Sequence, residues 1–349
     1  MRFLVVHPGP AWSVSDVYNG WVEALEGLGQ QVNTFNLDAR LTLFSRAFVE
    51  TGETDEHGAV GLRRAVDDEA AIYLASDGVL SAAYKCLPDV VLVISCMFIH
   101  PEQLDILRAR GHKVVLVHTE APYDQDNQVK LAAHADLNLV NDYINLECYT
   151  DVAPTYYQPH CYRPSVHHPG PPSPGMASDF CFVGTGFPSR IAFLEQMHLD
   201  GIDVLLAGQW KLLAESESPL RKHLAHDLYE GLDNDQAAQV YRSAAVSLNL
   251  YRQEADRPEL SVGHAMSPRE VEMAACGLFF LRDPRPEGDE VLAMLPTFGS
   301  PQDASDQLRH YLHHDHYRAK LADRAREAIA DRTFEQAAKR LLGMLDRGR

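Results

Sequence analysis

The chain has 349 residues, 46% of them hydrophobic and 23% charged. That balance excludes a disordered chain, a collagen-like repeat and a small disulfide scaffold, and the length suits about two domains of roughly 100–200 residues each. Acidic residues outnumber basic ones 49 to 31, for a net charge of −18, which argues against a surface that tracks nucleic-acid phosphates and against anchoring on an anionic membrane.

The first apolar run is too short for a secretory signal and stops at Pro8, so Phe3–His7 reads as a core strand. Ser13–Leu28 reads as a helix, with Val14, Val17, Tyr18, Trp21, Leu25 and Leu28 on one face. Gly29 ends it, and Gln31–Leu37 is the next strand. Asp89–Ser95 is a continuous apolar run, as a parallel strand buried on both faces requires. Pro101–Arg110 is a helix closed by Gly111, and Lys113–Thr119 and Leu137–Asn141 are further strands. This βαβ rhythm predicts an N-terminal Rossmann-like domain over residues 1–165, a doubly wound parallel sheet with right-handed crossovers.

Composition then shifts. Pro164, Pro169, Pro171, Pro172 and Pro174 exclude a helix or a sheet interior, so residues 166–178 read as an interdomain linker. A second α/β rhythm fills residues 179–330. Its strands are Asp179–Val183, Val204–Ala207, a short Asp227–Tyr229, Val246–Leu250 and Leu278–Leu281. Its helices are Pro188–His198, Asp235–Ser243 and Pro268–Cys276. Two long helices, about Gln302–Ile329 and Thr333–Leu345, close the chain, the second (within residues 331–349) expected to cross back to the N-terminal domain. No run approaches the roughly 18 apolar residues of a membrane span. The six cysteines form no C-x-x-C pair and read as reduced thiols of a cytoplasmic protein.

In open α/β sheets ligands bind beyond the carboxyl ends of the strands. The candidate loops therefore follow His7, Ser95, Thr119, Val183, Ala207 and Leu250, with one further junction at Ser267. Gly184-Thr185-Gly186-Phe187-Pro188-Ser189-Arg190 follows a strand and opens a helix. Its glycines let a backbone approach a phosphate, and Arg190 adds a cation in the first helical turn; tight strand–helix packing is the alternative use of the same glycines. In Ser267-Pro268-Arg269-Glu270-Val271-Glu272 through Gly277, Ser267 suits the N-cap, Pro268 the first turn and Gly277 the stop. Arg269 opposes the helix dipole unless it meets an anion, and Glu272 lies on the same face, so the two offer a cation for phosphate and a carboxylate for ribose hydroxyls. Of two D-x-D tripeptides, Asp233–Asp235 reads as a helix cap. Asp124–Asp126 follows a strand, where Asp124 or Glu120 suits a general base better than a metal ligand. His310, His313, His314 and His316 are spaced irregularly for one helix face and read as solvated surface.

These residues resemble the CgeB-like, spore-maturation branch of the GT-B glycosyltransferases, within the glycosyl transferases group 1. The likeness runs over roughly residues 155–345, through Phe182–Arg190, Tyr229-Glu230-Gly231, Ala238–Tyr241, Val246–Leu250, Ser267–Gly277 and Arg332-Thr333-Phe334. It implies two Rossmann-like domains facing across a cleft, a nucleotide-sugar donor on the C-terminal domain, an acceptor on the N-terminal domain, and no required metal or cofactor. By position, Gly184, Gly186 and Arg190 would face the diphosphate, Arg269 would neutralise leaving-group charge, and Glu272 would bind the ribose. Gly208, Asn249 and Ser267 would complete the donor site. His264 stands where the E-x7-E motif has its first Glu. Asp124 and Glu120 would serve as base, beside an acceptor pocket of His7, Gly9, Trp12 and Tyr123. The expected activity is hexosyl transfer from a nucleotide-diphosphate sugar, a UDP-sugar favoured, to an acceptor hydroxyl on a glycan, a protein, a small molecule or a modified phage DNA base, the last disfavoured by the charge. A nucleotide-sugar epimerase and a catalytically silent nucleotide-sugar-binding protein are the alternatives.

Overall fold

The computed structural model describes residues 1–9, 14–54, 57, 59–144, 146–255 and 261–347. The chain divides into two compact units, Met1–Gln158 with Leu341–Arg349, and Pro159–Arg340.

The first unit runs β1 (Arg2–His7), α1 (Ser15–Gly27), β2 (Gln31–Asn36), α2 (Leu37–Ser45), β3 (Phe48–Thr54), β4 (Val60–Arg64), α3 (Asp68–Cys86), β5 (Val90–Ile94), α4 (Pro101–Ala109), β6 (Lys113–His118), α5 (Gln125–Ala132), β7 (Leu137–Val140), α6 (Leu146–Thr150) and β8 (Thr155–Tyr157). Six strands form a parallel sheet in the order β2-β1-β5-β6-β7-β8. Val5 lies opposite Thr34 on one side and Leu92 on the other. Phe3 to Val6 and Val90 to Ile94 are buried throughout, which is why their sequence shows no polar alternation. Leu4, Val6, Val91 and Val93 pack with Ala75, Val79 and Ala83 of α3 and Leu104 and Leu107 of α4. Nothing in the sequence reading assigned the stretch between Leu37 and Asp89. It holds α2, α3 and the antiparallel hairpin β3–β4, whose apolar Phe48, Val49, Val60 and Leu62 are exposed.

The second unit runs β9 (Ser178–Val183), α7 (Pro188–Glu195), β10 (Val204–Ala207), α8 (Asn234–Ser243), β11 (Ala244–Asn249), α9 (Pro268–Cys276), β12 (Phe280–Arg282), α10 (Pro286–Val291), α11 (Pro301–Leu312), α12 (Asp315–Ala328) and α13 (Phe334–Arg347), the last extending into the residues counted with the first unit. Its parallel sheet has the order β10-β9-β11-β12. Cys181 lies opposite Leu205 and Ser247, and Leu248 opposite Leu281. The step from β9 to β10 and the step from β11 to β12 run in opposite directions across the sheet. Right-handed crossovers then put α7 and α9 on opposite faces and leave a crevice between the carboxyl ends of β9 and β11. In the first unit the same reversal falls between β1 and β5.

Four expectations are corrected. Asp227–Tyr229 is not a strand. Among the described residues, this part of the chain meets β10 through an isolated bridge, Leu206 to Leu224, upstream of the expected segment, and Leu228 O instead accepts from Trp210 N–H (2.8 Å) in the loop after β10. The expected helix Gln302–Ile329 is two, α11 and α12, broken where His313 N–H closes a short turn onto His310 O (3.2 Å). The first unit's main segment ends at Gln158, not residue 165. The proline-rich stretch lies within the second unit instead of forming a free linker: Val166 and His167 are buried, Arg242 Nη1 donates to Val166 O (3.0 Å), and Ser173 N–H donates to Ser243 Oγ (2.8 Å). Prolines deprive that segment of its own ladder, and α8 supplies side-chain partners instead. The cysteines are free thiols, with Cys148 exposed and the others buried or half-buried.

Candidate functional site

In the second unit the loops after β9 and β10 are stitched together. Gly184 N–H donates to Ala207 O (2.9 Å) and Gly186 N–H to Gln209 O (2.8 Å). Gly208 has φ +110°, and a Cβ there would overlap the Gly184 backbone, while one on Gly186 would overlap the Trp210 indole. The glycines proposed to admit a phosphate thus let two backbones and a ring close on one another. Arg190, expected to face a diphosphate, is turned onto carbonyls. Its Nε and Nη2 donate to Leu250 O (3.0 and 2.7 Å) and its Nη1 to Thr185 O (3.1 Å). The guanidinium therefore spans the β9–β11 crevice, over the rings of Phe182 and Phe187.

Across the crevice, Asn249 ends β11. Ser267 Oγ donates to Asn249 Oδ1 (2.8 Å), and the buried Asn249 Nδ2 has no hydrogen-bond partner among the described residues. Ser267 caps α9: its Oγ accepts from Glu270 N–H (3.2 Å), and Glu270 Oε2 accepts from Ser267 N–H (2.8 Å). Glu270 also accepts from the Tyr251 hydroxyl. Burial pushes its carboxyl up to about 7, against those hydrogen bonds and the nearby Arg282 charge, with Glu287 adding to the rise. Arg269 Nη1 donates to Glu272 Oε2 (2.8 Å). Their side chains are 31% and 6% exposed, so a reachable cation sits over a buried carboxylate. Asn234 Nδ2 of α8 holds the other Glu272 oxygen (3.2 Å). His264 is half-buried, and its carbonyl accepts from Glu287 N–H (3.1 Å). Asp233 caps α8 through Gln236 N–H (2.8 Å), as expected.

In the first unit, His7 is buried at the end of β1 and stacks on Tyr18 at 3.8 Å. Its Nδ1 accepts from Gly9 N–H (3.2 Å). Burial lowers the imidazole pKa, and Asp38 partly offsets this. Gly9, at φ +114°, approaches Asp38 too closely for a Cβ. Trp12 lies outside the described residues. Ser95 and Cys96, after β5, both have positive φ (71° and 57°), a left-handed backbone that costs side-chain-bearing residues energy and that the surrounding structure must hold. Asp124 precedes α5. Its Oδ1 accepts from Asn127 Nδ2 (2.8 Å), and its N–H donates to Glu120 O (3.1 Å). Glu120, Tyr123 and Asp124 are all half-buried.

The structure thus pairs Ser267 with Asn249 and Arg269 with Glu272 along α9, and gathers Gly184, Gly186, Gly208 and Arg190 around the loops after β9 and β10. Sequence reasoning passed over Tyr251, Asn234 and Glu270. Only Glu270 left a signal, the S-x-x-E spacing from Ser267.

A family model described as glycosyl transferase-like matches residues 190–343. No curated protein sequence matches the chain at a significant level. Among solved structures, sucrose-phosphate synthase from Thermosynechococcus elongatus is 13% identical with a TM-score of 0.64, over 99% of this chain and 98% of that one. A trehalose-6-phosphate structure from E. coli, bound with UDP-2-fluoro glucose, is 12% identical with a TM-score of 0.58, over 99% of each chain. A UDP-N-acetylglucosamine 2-epimerase of Listeria monocytogenes, itself so described by inference, is 14% identical with a TM-score of 0.62, over 98% and 95%. At these identities the likeness establishes the fold, parallel α/β units of the GT-B type. Among the described residues no helix is long and apolar enough to cross a membrane.

Proposed function

We propose that the chain is a glycosyltransferase that moves a hexosyl group from a nucleotide-diphosphate sugar, a UDP-sugar favoured, to an acceptor hydroxyl without a metal. The observation that carries this reading is Arg269: a reachable cation on the first turn of a capped helix, paired with Glu272, inside the stretch that matches the glycosyl transferase-like family. Charge builds on the departing diphosphate as the glycosidic bond breaks, and a fixed cation lowers that barrier. Arg269 is assigned that charge, with Asn249 Nδ2 as a neutral donor beside it. Glu272 holds Arg269 in place and takes a ribose hydroxyl. Ser267 fixes the helix start, and His264 borders the sugar. Gly184, Gly186 and Gly208 shape the crevice, and Arg190 braces it. On the first unit, Asp124 or Glu120 takes the proton of the acceptor hydroxyl, with His7, Gly9, Trp12 and Tyr123 as acceptor contacts. The UDP-2-fluoro glucose bound to the E. coli neighbour supports UDP as the carrier. The net charge of −18 weighs against a nucleic-acid acceptor and suits a cytoplasmic enzyme.

A thermal-shift panel of UDP, GDP, ADP, CDP and dTDP, with and without magnesium, tests this. A nucleotide at about 100 times its dissociation constant adds roughly 2.7 kcal/mol. One nucleotide should shift the wild-type melt without magnesium, and Arg269→Ala should lose that shift; no shift from any of them removes the reading. The Listeria neighbour favours nucleotide-sugar epimerisation as a second reading. Conversion of a UDP-sugar to its epimer with no acceptor added would establish it in place of transfer.

A further inference from the structure

The histidines that close α11 and open α12, His310, His313, His314 and His316, are all exposed, and the transfer reaction proposed above uses none of them. The turn between the helices brings two of them together. His313 N–H donates to His310 O (3.2 Å) and His314 N–H to Tyr311 O (3.1 Å), so the chain winds on for one tight turn past α11. His310 and His314, four positions apart, therefore share a face. Their rings stack with centroids 4.2 Å apart and planes 26° from parallel.

The hydrogen bonding selects what this pair can do. His314 Nδ1 lies 2.5 Å from His310 O. A carbonyl oxygen only accepts, so Nδ1 carries the proton and the neutral ring has its lone pair on Nε2. Tying one ring nitrogen to a carbonyl and presenting the other is how proteins orient a metal-binding imidazole. Two histidines at i and i+4 on one face are also the spacing with which a helix holds zinc. Imidazole suits zinc, nickel and copper, whereas magnesium takes oxygen ligands. His168 gives the contrast. It too is exposed with Nδ1 on a carbonyl, Pro169 O (2.9 Å), but its ring stacks on no second imidazole among the described residues.

We propose that His310 and His314 form a surface site for a divalent transition ion of the zinc and nickel class, bound through His314 Nε2 and a nitrogen of His310, with water in the remaining positions. An ion there ties the last turn of α11 to the start of α12. Calorimetry of the full chain with ZnCl2, NiCl2 and MgCl2 tests this, in a Cys148→Ser background because Cys148 is an exposed thiol. The background protein should bind zinc and nickel but not magnesium. His310→Ala and His314→Ala should each weaken one binding step at least tenfold, since loss of a ligand's outer partner alone costs about 10–100-fold. His168→Ala should stay within about twofold. All three side chains are exposed, so the variants should melt as the background does without metal, and nickel should raise the melt of the background but not of His314→Ala. No binding of either ion, binding that neither variant weakens, equal loss in His168→Ala, or equal binding of magnesium would each overturn the site. Every one of these outcomes leaves the nucleotide-sugar reading to its own test.

Discussion

Glu270 shows how much one side chain carries. It is wholly buried, caps the helix that bears Arg269, and anchors Tyr251. Its carboxyl titrates near 7 in the fold against an ordinary 4.5, so the folded chain holds this proton more tightly than the unfolded one. The sign follows from linkage: this group's contribution is greatest below about pH 4.5 and falls as pH rises to about 7, by on the order of 3 kcal/mol. Glu270→Gln should flatten that slope, and denaturant midpoints for both proteins from pH 5 to 8 would measure it. A slope unchanged in the variant would assign the pH dependence elsewhere. Burial also accounts for why this residue was hard to read. Its S-x-x-E spacing was legible, but Tyr251 lies 19 positions away and nothing local pairs them. Arg190 repeats the lesson: its place in the first turn of α7 was legible, but its partner Leu250 O is 60 residues distant.

Elements were legible where local chemistry decides them. Continuous apolar runs gave β1, β5 and β6, and the Ser267, Pro268 and Gly277 signals bounded α9 closely. Elements decided by partners were not. The hairpin β3–β4 keeps its apolar residues exposed, so no buried face imposes a pattern. The proline-rich segment reads as linker by composition and is fastened by α8. The loops after β9 and β10 also depend on a partner, each other. Gly208→Ala would meet both a positive φ and the Gly184 backbone, costing about 1–3 kcal/mol, and should weaken nucleotide binding as well. A melt of that variant, compared with Gly231→Ala, where nothing crowds the site, separates crowding from mere loss of glycine.

At the scale of the whole chain, two parallel sheets each reverse their strand order once, and some of the predicted site residues fall at those reversals: His7 and Gly9 after β1 in one, Gly184, Arg190 and Asn249 in the other. The repetition of βαβ units was readable from rhythm alone, because each buried strand must be covered by a helix. Where one unit stops was less readable. Helix α13 is counted with the second unit to Arg340 and with the first from Leu341, and Leu341 and Leu345 are buried. A chain ending at Arg340 should therefore lose roughly 3 kcal/mol or more, from two leucines at about 1.5–3 kcal/mol each, and a lowered melting temperature would register it.

That shared helix bears on the order in which the protein is made. Residues 1–158 leave the ribosome long before the final turns of α13, yet those turns complete their unit. The second unit, Pro159–Arg340, has all of its sequence first, so the half whose synthesis starts earlier is completed only by a piece made after the whole of the other unit.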